Sequence, residues 1–198
     1  MALSKQAKTL NQKQIKFVLE YLGNGRNALR NQVVFLLSVK AGLRAKEIAN
    51  LKWEMVMNSD GSLSNEIGLV NVASKGISGR KIPINRILKA KLAELFVDAD
   101  YVSSETSNSF VIRTERSNGT SPQVIVNLFS KWYNDLGLVG CSSHSGRRTF
   151  ITNAARKIAM VNGSLRDVQY LAGHSSLQTT ERYIEYSEKA RQKLVDII

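Results

Sequence analysis

The sequence predicts an α+β domain, mainly α-helical, with a small antiparallel β-sheet. Three observations predict it. Apolar residues recur at helical spacing through most of the chain, starting with Ile15, Val18, Leu19 and Leu22. Between Met55 and Ile84 the texture changes to short β-like runs separated by turn residues. The length of 198 residues and a hydrophobic fraction of 43% suit one well-packed domain.

Residues 1–10 are polar and basic and read as a flexible tail before a domain over 11–198. Asn11 is placed to cap the first helix, and Gly23-Asn24-Gly25 ends it. A second helix over 26–40 has the apolar centre Val33-Val34-Phe35-Leu36-Leu37, and Gly42 breaks it. A short helix follows through Arg44, Glu47, Ile48 and Leu51. Met55–Met57, Ile67–Val72 and Lys81–Ile84 are the β-like runs, with a hairpin loop at Ser74–Gly79. Residues 86–97 return to helix, 98–109 read as a surface loop, and Phe110–Arg113 as a brief extended segment. Ser121-Pro122 opens a helix reaching Leu136, with proline in the first turn where no amide donor is missed. The last third reads as helical pieces near 144–158, 164–171, 176–185 and 188–197. Trp53 and Trp132 read as core.

Charge narrows the function. Twenty-eight basic against sixteen acidic residues give a net charge of +12, a surplus that attracts polyanions, of which nucleic acid is the commonest inside cells. No stretch approaches the ~18 consecutive apolar residues of a membrane span, and the first residues lack the apolar core of a secretory signal. A single cysteine, Cys141, forms neither an internal disulfide nor a cysteine-based zinc site by itself. The expectation from composition is an intracellular, metal-independent protein with no membrane partner that binds nucleic acid of some kind.

Three motifs carry the chemistry. The first is Ala41-Gly42-Leu43-Arg44, with Glu47 three residues on and then Leu51 and Trp53. The second runs from His144 through Arg147, Arg148 and Thr149 to Phe150. The third is Leu171-Ala172-Gly173-His174-Ser175-Ser176, then Thr179-Thr180, with Tyr183 nine residues after the histidine. Together they resemble the boxes of the tyrosine recombinases, the phage integrase family, and Lys75 matches that family's β-hairpin lysine. The resemblance runs from about residue 11 onward, fills six family positions in order, and uses both histidines of the chain.

The resemblance implies a tyrosine-recombinase catalytic-domain fold and a site-specific recombinase or integrase, bacterial or phage-encoded, cytoplasmic and DNA-associated, that needs no metal or cofactor. Such an enzyme cleaves and rejoins double-stranded DNA through a 3′-phosphotyrosyl intermediate. Its implied catalytic residues are Arg44, Lys75, His144, Arg147, His174 and Tyr183, with Glu47 holding Arg44. It also implies self-association into a tetramer on DNA and an accessory DNA-bending protein as a further partner. The residue types suit these roles. Attack on a phosphodiester builds negative charge on the non-bridging oxygens, which planar, permanently charged guanidinium groups accept bidentately. Such stabilisation of developing charge is usually the largest catalytic contribution. A tyrosine with a pKa of about 10 must lose its proton during attack, and His144 is suited to accept it. Lys75 would protonate the leaving 5′ oxygen.

Other readings stay open at this level. A type IB topoisomerase shares the chemistry, and a DNA-binding regulator derived from a recombinase would share the fold. Arg44 and Glu47 also fit an ordinary i,i+3 ion pair, Lys75 a solvated hairpin lysine, and both histidines buried structural roles. Arg80 or Lys81 could contact phosphate instead of Lys75, while Tyr170 and Tyr186 rival Tyr183. Gly146 stands where the family usually has leucine, Arg148 where histidine is frequent, and the Lys157–Leu165 connection is longer than expected. About forty residues precede Arg44, which leads to the expectation of a catalytic domain without a separate N-terminal core-binding domain, or of a fragment. Leu194, Val195, Ile197 and Ile198 pack either on a neighbouring subunit or on their own domain.

Overall fold

The second helix, α2 (Ala28–Ala41), is the axis of the structure, because it is apolar nearly all round and must be covered on every side. Its residues Val33 to Val39 are all buried. It packs against α1 (Gln12–Gly23), α4 (Arg86–Asp98) and α6 (Ser145–Lys157). The computed structural model describes residues 6–70, 79–98, 108–183 and 195–196. Between α2 and α4 come α3 (Ala45–Ala49) and an antiparallel pair, β1 (Glu66–Leu69) with β2 (Arg80–Pro83). Helix α5 (Pro122–Asp135) covers α3, and α7 (Leu165–Ala172) and α8 (Leu177–Glu181) follow α6.

Local chemistry sets several boundaries. Asn11 caps α1 as expected: its side chain accepts the Gln14 amide while the Gln14 side chain accepts the Asn11 amide, both at 2.9 Å. Ser121 caps α5, accepting from Val124 N–H at 3.2 Å, with Pro122 in the first turn. Helix α2 closes through Gly42 at φ +67°, where Gly42 N–H donates to Ser38 O, the bond of an αL cap, and Leu43 N–H donates to Leu37 O. A side chain at Gly42 would also collide with the Phe150 ring. Gly146 has a comparable reason: a Cβ there would stand 2.9 Å from Ser38 Cβ and 3.3 Å from its backbone carbon. The close approach of α6 to α2 therefore leaves no room for the leucine usual at this position.

In the β-pair, Ile67, Leu69, Arg80 and Ile82 face the interior, and Leu69 stands opposite Arg80 in the register. Met55–Met57 does not form the expected strand. Trp53–Met55 is a 3₁₀ turn closed by Met55 N–H to Lys52 O and Val56 N–H to Trp53 O, and only an isolated bridge joins Met57 to Leu63. Trp53, Met55 and Val56 are all buried, a sequence that a turn satisfies and strict alternation does not. The segment at Phe110 does pair, bridging Lys52, with Val111 N–H on Leu51 O.

Residues 6–10 correct the expectation of a flexible tail. Lys8 N–H donates to Gly140 O at 3.0 Å, Leu10 N–H to Thr149 Oγ1 at 2.8 Å, and Arg148 Nη1 to Ala7 O at 2.8 Å. Leu10 is buried in the main core. The lengthened Lys157–Leu165 connection is a 3₁₀ turn, Ile158–Val161, closed by Asn162 at φ +57° and by Gly163 N–H on Ile158 O. Ser164 then starts α7, giving its N–H and hydroxyl to Asp167.

The described residues form two apolar clusters. The main one takes α1–α5 and the β-pair, including Trp53 and Trp132. A small one joins α6 and α7 through Ile151, Val168 and Ala172, with Phe150, Ile158, Leu165 and Tyr183 packed against it. The sequence motifs meet at the seam between them.

Candidate active site

The C-terminal end of α7 is the centre of the site. A helix leaves its last carbonyls without intrahelical donors. Here the turn at Gly173 (φ +59°) uses the carbonyls of Gln169 and Tyr170, and the next three each receive one arginine. Arg80 Nε donates to Leu171 O at 2.9 Å, Arg147 Nη2 to Ala172 O at 2.5 Å, and Arg44 Nη2 to Gly173 O at 3.3 Å. Positive groups at a helix C-terminus also suit its dipole. Three arginines from β2, α6 and the start of α3 are thereby gathered immediately before His174.

Glu47 completes the arrangement. It is fully buried on α3, and its carboxylate takes Arg44 Nη1 at 2.9 Å and the Arg44 amide at 2.8 Å. Arg80 Nη1 and Nη2 reach the same carboxylate at 3.0 and 3.2 Å. Burial alone would raise the Glu47 carboxyl, but the Arg80 hydrogen bond and charge, followed by the Arg44 amide and charge, hold it below the usual carboxylate range. The Arg44–Glu47 pair is thus not an ordinary surface pair. Arg80 is 4% exposed and committed to Glu47 and Leu171, so it is not the phosphate-facing residue of the hairpin. Lys81 faces out and pairs with Glu66 at 2.6 Å. Sequence reasoning did not see Arg80 as an internal residue; the signal was its place two residues before Ile82, on the same strand face.

A substitution follows from this clamp. Glu47→Gln takes the carboxylate charge away from the buried Arg80–Glu47 pair, and removing one member of a buried pair costs about 3–5 kcal/mol. Urea unfolding should therefore show a loss in that range; a loss below about 1 kcal/mol, the level of an exposed pair, would refute the clamp.

Arg147 bridges two helix ends, donating Nη1 to Gly42 O at 2.6 Å as well as Nη2 to Ala172 O. Burial, then the Arg44 charge, pushes its pKa down to about 10, which leaves it charged at neutral pH. A cavity of about 400 Å³ lies beside it, lined by His144, Arg147, Arg148, Arg182 and Tyr183, with Gln6 and Ala7 of the N-terminal segment. Among the described residues, no carboxylate lines it. His144 is exposed at the start of α6. Tyr183 is partly buried, just past α8, its N–H on Thr180 O at 3.0 Å.

His174 stacks on Tyr183, with ring centroids 5.6 Å apart and planes 25° apart. Burial, then the charges of Arg147, Arg44 and Arg80, lowers its pKa from 6.5 to about 4, so the ring is neutral at physiological pH. The folded protein thus resists a proton that the unfolded chain accepts below about pH 6.5. Stability should fall progressively as pH drops from 6.5 toward 4. Thermal melts between pH 7 and 5, above the range where Glu47 protonates, should show this slope, flattened in His174→Gln; equal slopes in both proteins would contradict it.

Of the expected residues, the structure brings together Arg44, Glu47, His144, Arg147, His174 and Tyr183. Lys75 and Tyr186 lie outside the described residues, as does the expected helix over 188–197 except for Val195 and Asp196, which are helical and exposed. Tyr170 is 54% exposed and accepts the Lys81 amide at 3.2 Å, on the β2 side of α7. Among the described residues, no helix is long and apolar enough to cross a membrane, and no group of three or more histidine, cysteine, aspartate or glutamate side chains is placed to hold a metal.

Comparison with known proteins gives the family and the fold. Residues 8–190 match the phage integrase family. The tyrosine recombinase XerA of Thermococcus onnurineus is 30% identical over 195 residues, covering 94% of this chain and 62% of the relative. The tyrosine recombinase XerC of Shewanella amazonensis is 27% identical over 201 residues, covering 99% and 64%. The chain thus spans a little over three fifths of the length of these relatives. In fold it is similar to the Tn1549 transposon integrase solved with circular intermediate DNA, at a TM-score of 0.76 and 14% identity over 98% of this chain and 66% of that one. It is similar also to the XerA recombinase crystal structure, at a TM-score of 0.71 and 19% identity over 98% and 64%. With the family match spanning nearly the whole chain and the three motifs folded into one site, the chain belongs to the phage integrase family, the tyrosine recombinases.

Proposed function

We propose that this chain carries the catalytic site of a site-specific DNA recombinase, cleaving and rejoining double-stranded DNA through a 3′-phosphotyrosyl intermediate on Tyr183. The observation that supports it most is the seating of Arg44 and Arg147 on adjacent carbonyls, Gly173 and Ala172, with His174 between them and Tyr183. A guanidinium has five N–H donors. The protein bonds orient each fork and leave donors for the non-bridging oxygens of one phosphate.

In the reaction, the Tyr183 oxygen forms a bond to phosphorus while the bond from phosphorus to the 5′ oxygen breaks. His144 takes the phenol proton, and Lys75 gives a proton to the leaving 5′ oxygen. Arg44, Arg147 and His174 hold the charge that develops on the phosphoryl oxygens. Religation reverses the step, with the 5′-hydroxyl as nucleophile. Strand exchange between two duplexes requires four active sites, so the working assembly is a tetramer on DNA, with an accessory DNA-bending protein as a further component. The net charge of +12 and the cavity lining of arginine and histidine favour a polyanionic substrate.

The test uses a pool of nicked duplexes of random sequence, incubated with the protein and denatured. Covalently retained DNA is sequenced, and the modified peptide is identified by mass spectrometry. Tryptic cleavage gives Tyr183–Lys189, in which fragmentation separates Tyr183 from Tyr186. An adduct on Tyr183 with an enriched sequence is expected; an adduct on another residue, or DNA binding with no adduct, overturns the reading. Relaxation of supercoiled plasmid lacking the enriched sequence would favour the topoisomerase alternative.

A further inference from the structure

Thr180 has a hydroxyl that neither DNA nor solvent reaches. The residue is fully buried, and among the described residues its hydroxyl has one hydrogen-bond partner, His174 Nδ1, at 3.0 Å. A threonine hydroxyl has a single proton to donate, and a neutral imidazole has one N–H and one bare nitrogen. Were Nδ1 the protonated nitrogen, Thr180 would accept, and its own buried proton would lack an acceptor. Were Nδ1 bare, the threonine proton would be satisfied and Nε2 would carry the ring hydrogen. Only the second arrangement pairs every buried polar hydrogen.

The surroundings require the ring to be neutral, so that the choice between tautomers matters. Among the described residues, the charged and titratable groups around it are Arg44 before α3, Arg80 on β2, Arg147 on α6 and Tyr183 beyond α8. The nearby carboxylate, Glu47, is already bound by Arg44 and Arg80. Thr180 also accepts the Tyr183 amide on its backbone carbonyl, so one residue anchors both rings of the stacked pair.

We propose that Thr180 is a positioning residue that fixes His174 as the Nε2–H tautomer by donating its hydroxyl proton to Nδ1. Resting on the recombinase reading above, the consequence is that Nε2–H is the donor offered to a phosphate oxygen. The opposite tautomer would present a lone pair there and repel it.

The experiment is long-range proton–nitrogen NMR of the histidine-labelled chain at pH 7, with His144→Gln used to assign the two rings. The wild type should show His174 Nδ1 bare and Nε2 protonated. Thr180→Val, which keeps the shape and loses the hydroxyl, should displace the Nδ1 resonance and slow adduct formation by about tenfold or more, as loss of an orienting partner does. Thr180→Ser should restore both. A protonated Nδ1 in the wild type, or nitrogen signals unchanged in Thr180→Val, would overturn the proposal. If the nitrogen pattern is as expected but the wild type forms no adduct on any DNA, the tautomer assignment stands and the recombinase reading fails.

Discussion

A Tyr183→Phe chain should fold as the wild type does, bind the enriched DNA with the same affinity, and form no covalent adduct. The phenol ring packs against the small α6–α7 cluster and stacks on His174, and phenylalanine keeps both contacts. What is removed is the phenol oxygen, the proposed nucleophile. The positive lining of the cavity is untouched, so DNA attraction persists. Tyr170→Phe is the control, since that hydroxyl is spent on the Lys81 amide and serves the β-pair. The measurement is adduct yield on a denaturing gel beside DNA affinity at fixed salt. Residual adduct in Tyr183→Phe at wild-type yield would transfer the nucleophile to another residue, and equal loss in Tyr170→Phe would make the effect structural.

The second large effect is expected at Arg147. Arg147→Lys keeps the charge but not the fork: an ammonium does not hold Gly42 O and Ala172 O together while also meeting a phosphate. Losing a preorganised donor to developing charge costs about a hundredfold to a thousandfold in rate. A buried carbonyl left without its donor costs a further ~1–3 kcal/mol of stability. Single-turnover adduct formation should therefore fall by two to three orders of magnitude at saturating protein, with a modest loss in urea midpoint and little change in DNA affinity. A rate within tenfold of wild type would remove Arg147 from the phosphate-binding role.

Much of this architecture was legible from local pattern. The apolar run Val33–Leu37 announced a helix buried on all sides, Asn11 and Ser121-Pro122 announced helix starts, and Gly42 announced an end. These are decided within one or two turns of chain, which is the range over which spacing carries information. The motif order assigned Arg44, His144, Arg147, His174 and Tyr183 to one site, and the fold gathers them. The Met55–Met57 strand failed for the converse reason: the adjacent Met55 and Val56 are both buried, which a 3₁₀ turn allows and the alternation of a strand does not.

The sequence by itself determined which side chains are available for phosphate chemistry and the strongly positive field in which they sit. Only the tertiary structure decided how they are held. Arg44, Arg80 and Arg147 end on three consecutive carbonyls that lie 129, 91 and 25 residues away along the chain, and no periodicity reports a pairing at that distance. Arg80 is the clearest case. In the sequence it is one more basic residue at a hairpin; in the fold its strand register turns it inward, where burial obliges it to find Glu47 and Leu171. A charge removed from water must be paired where the backbone puts it, and that place is a property of the packed chain.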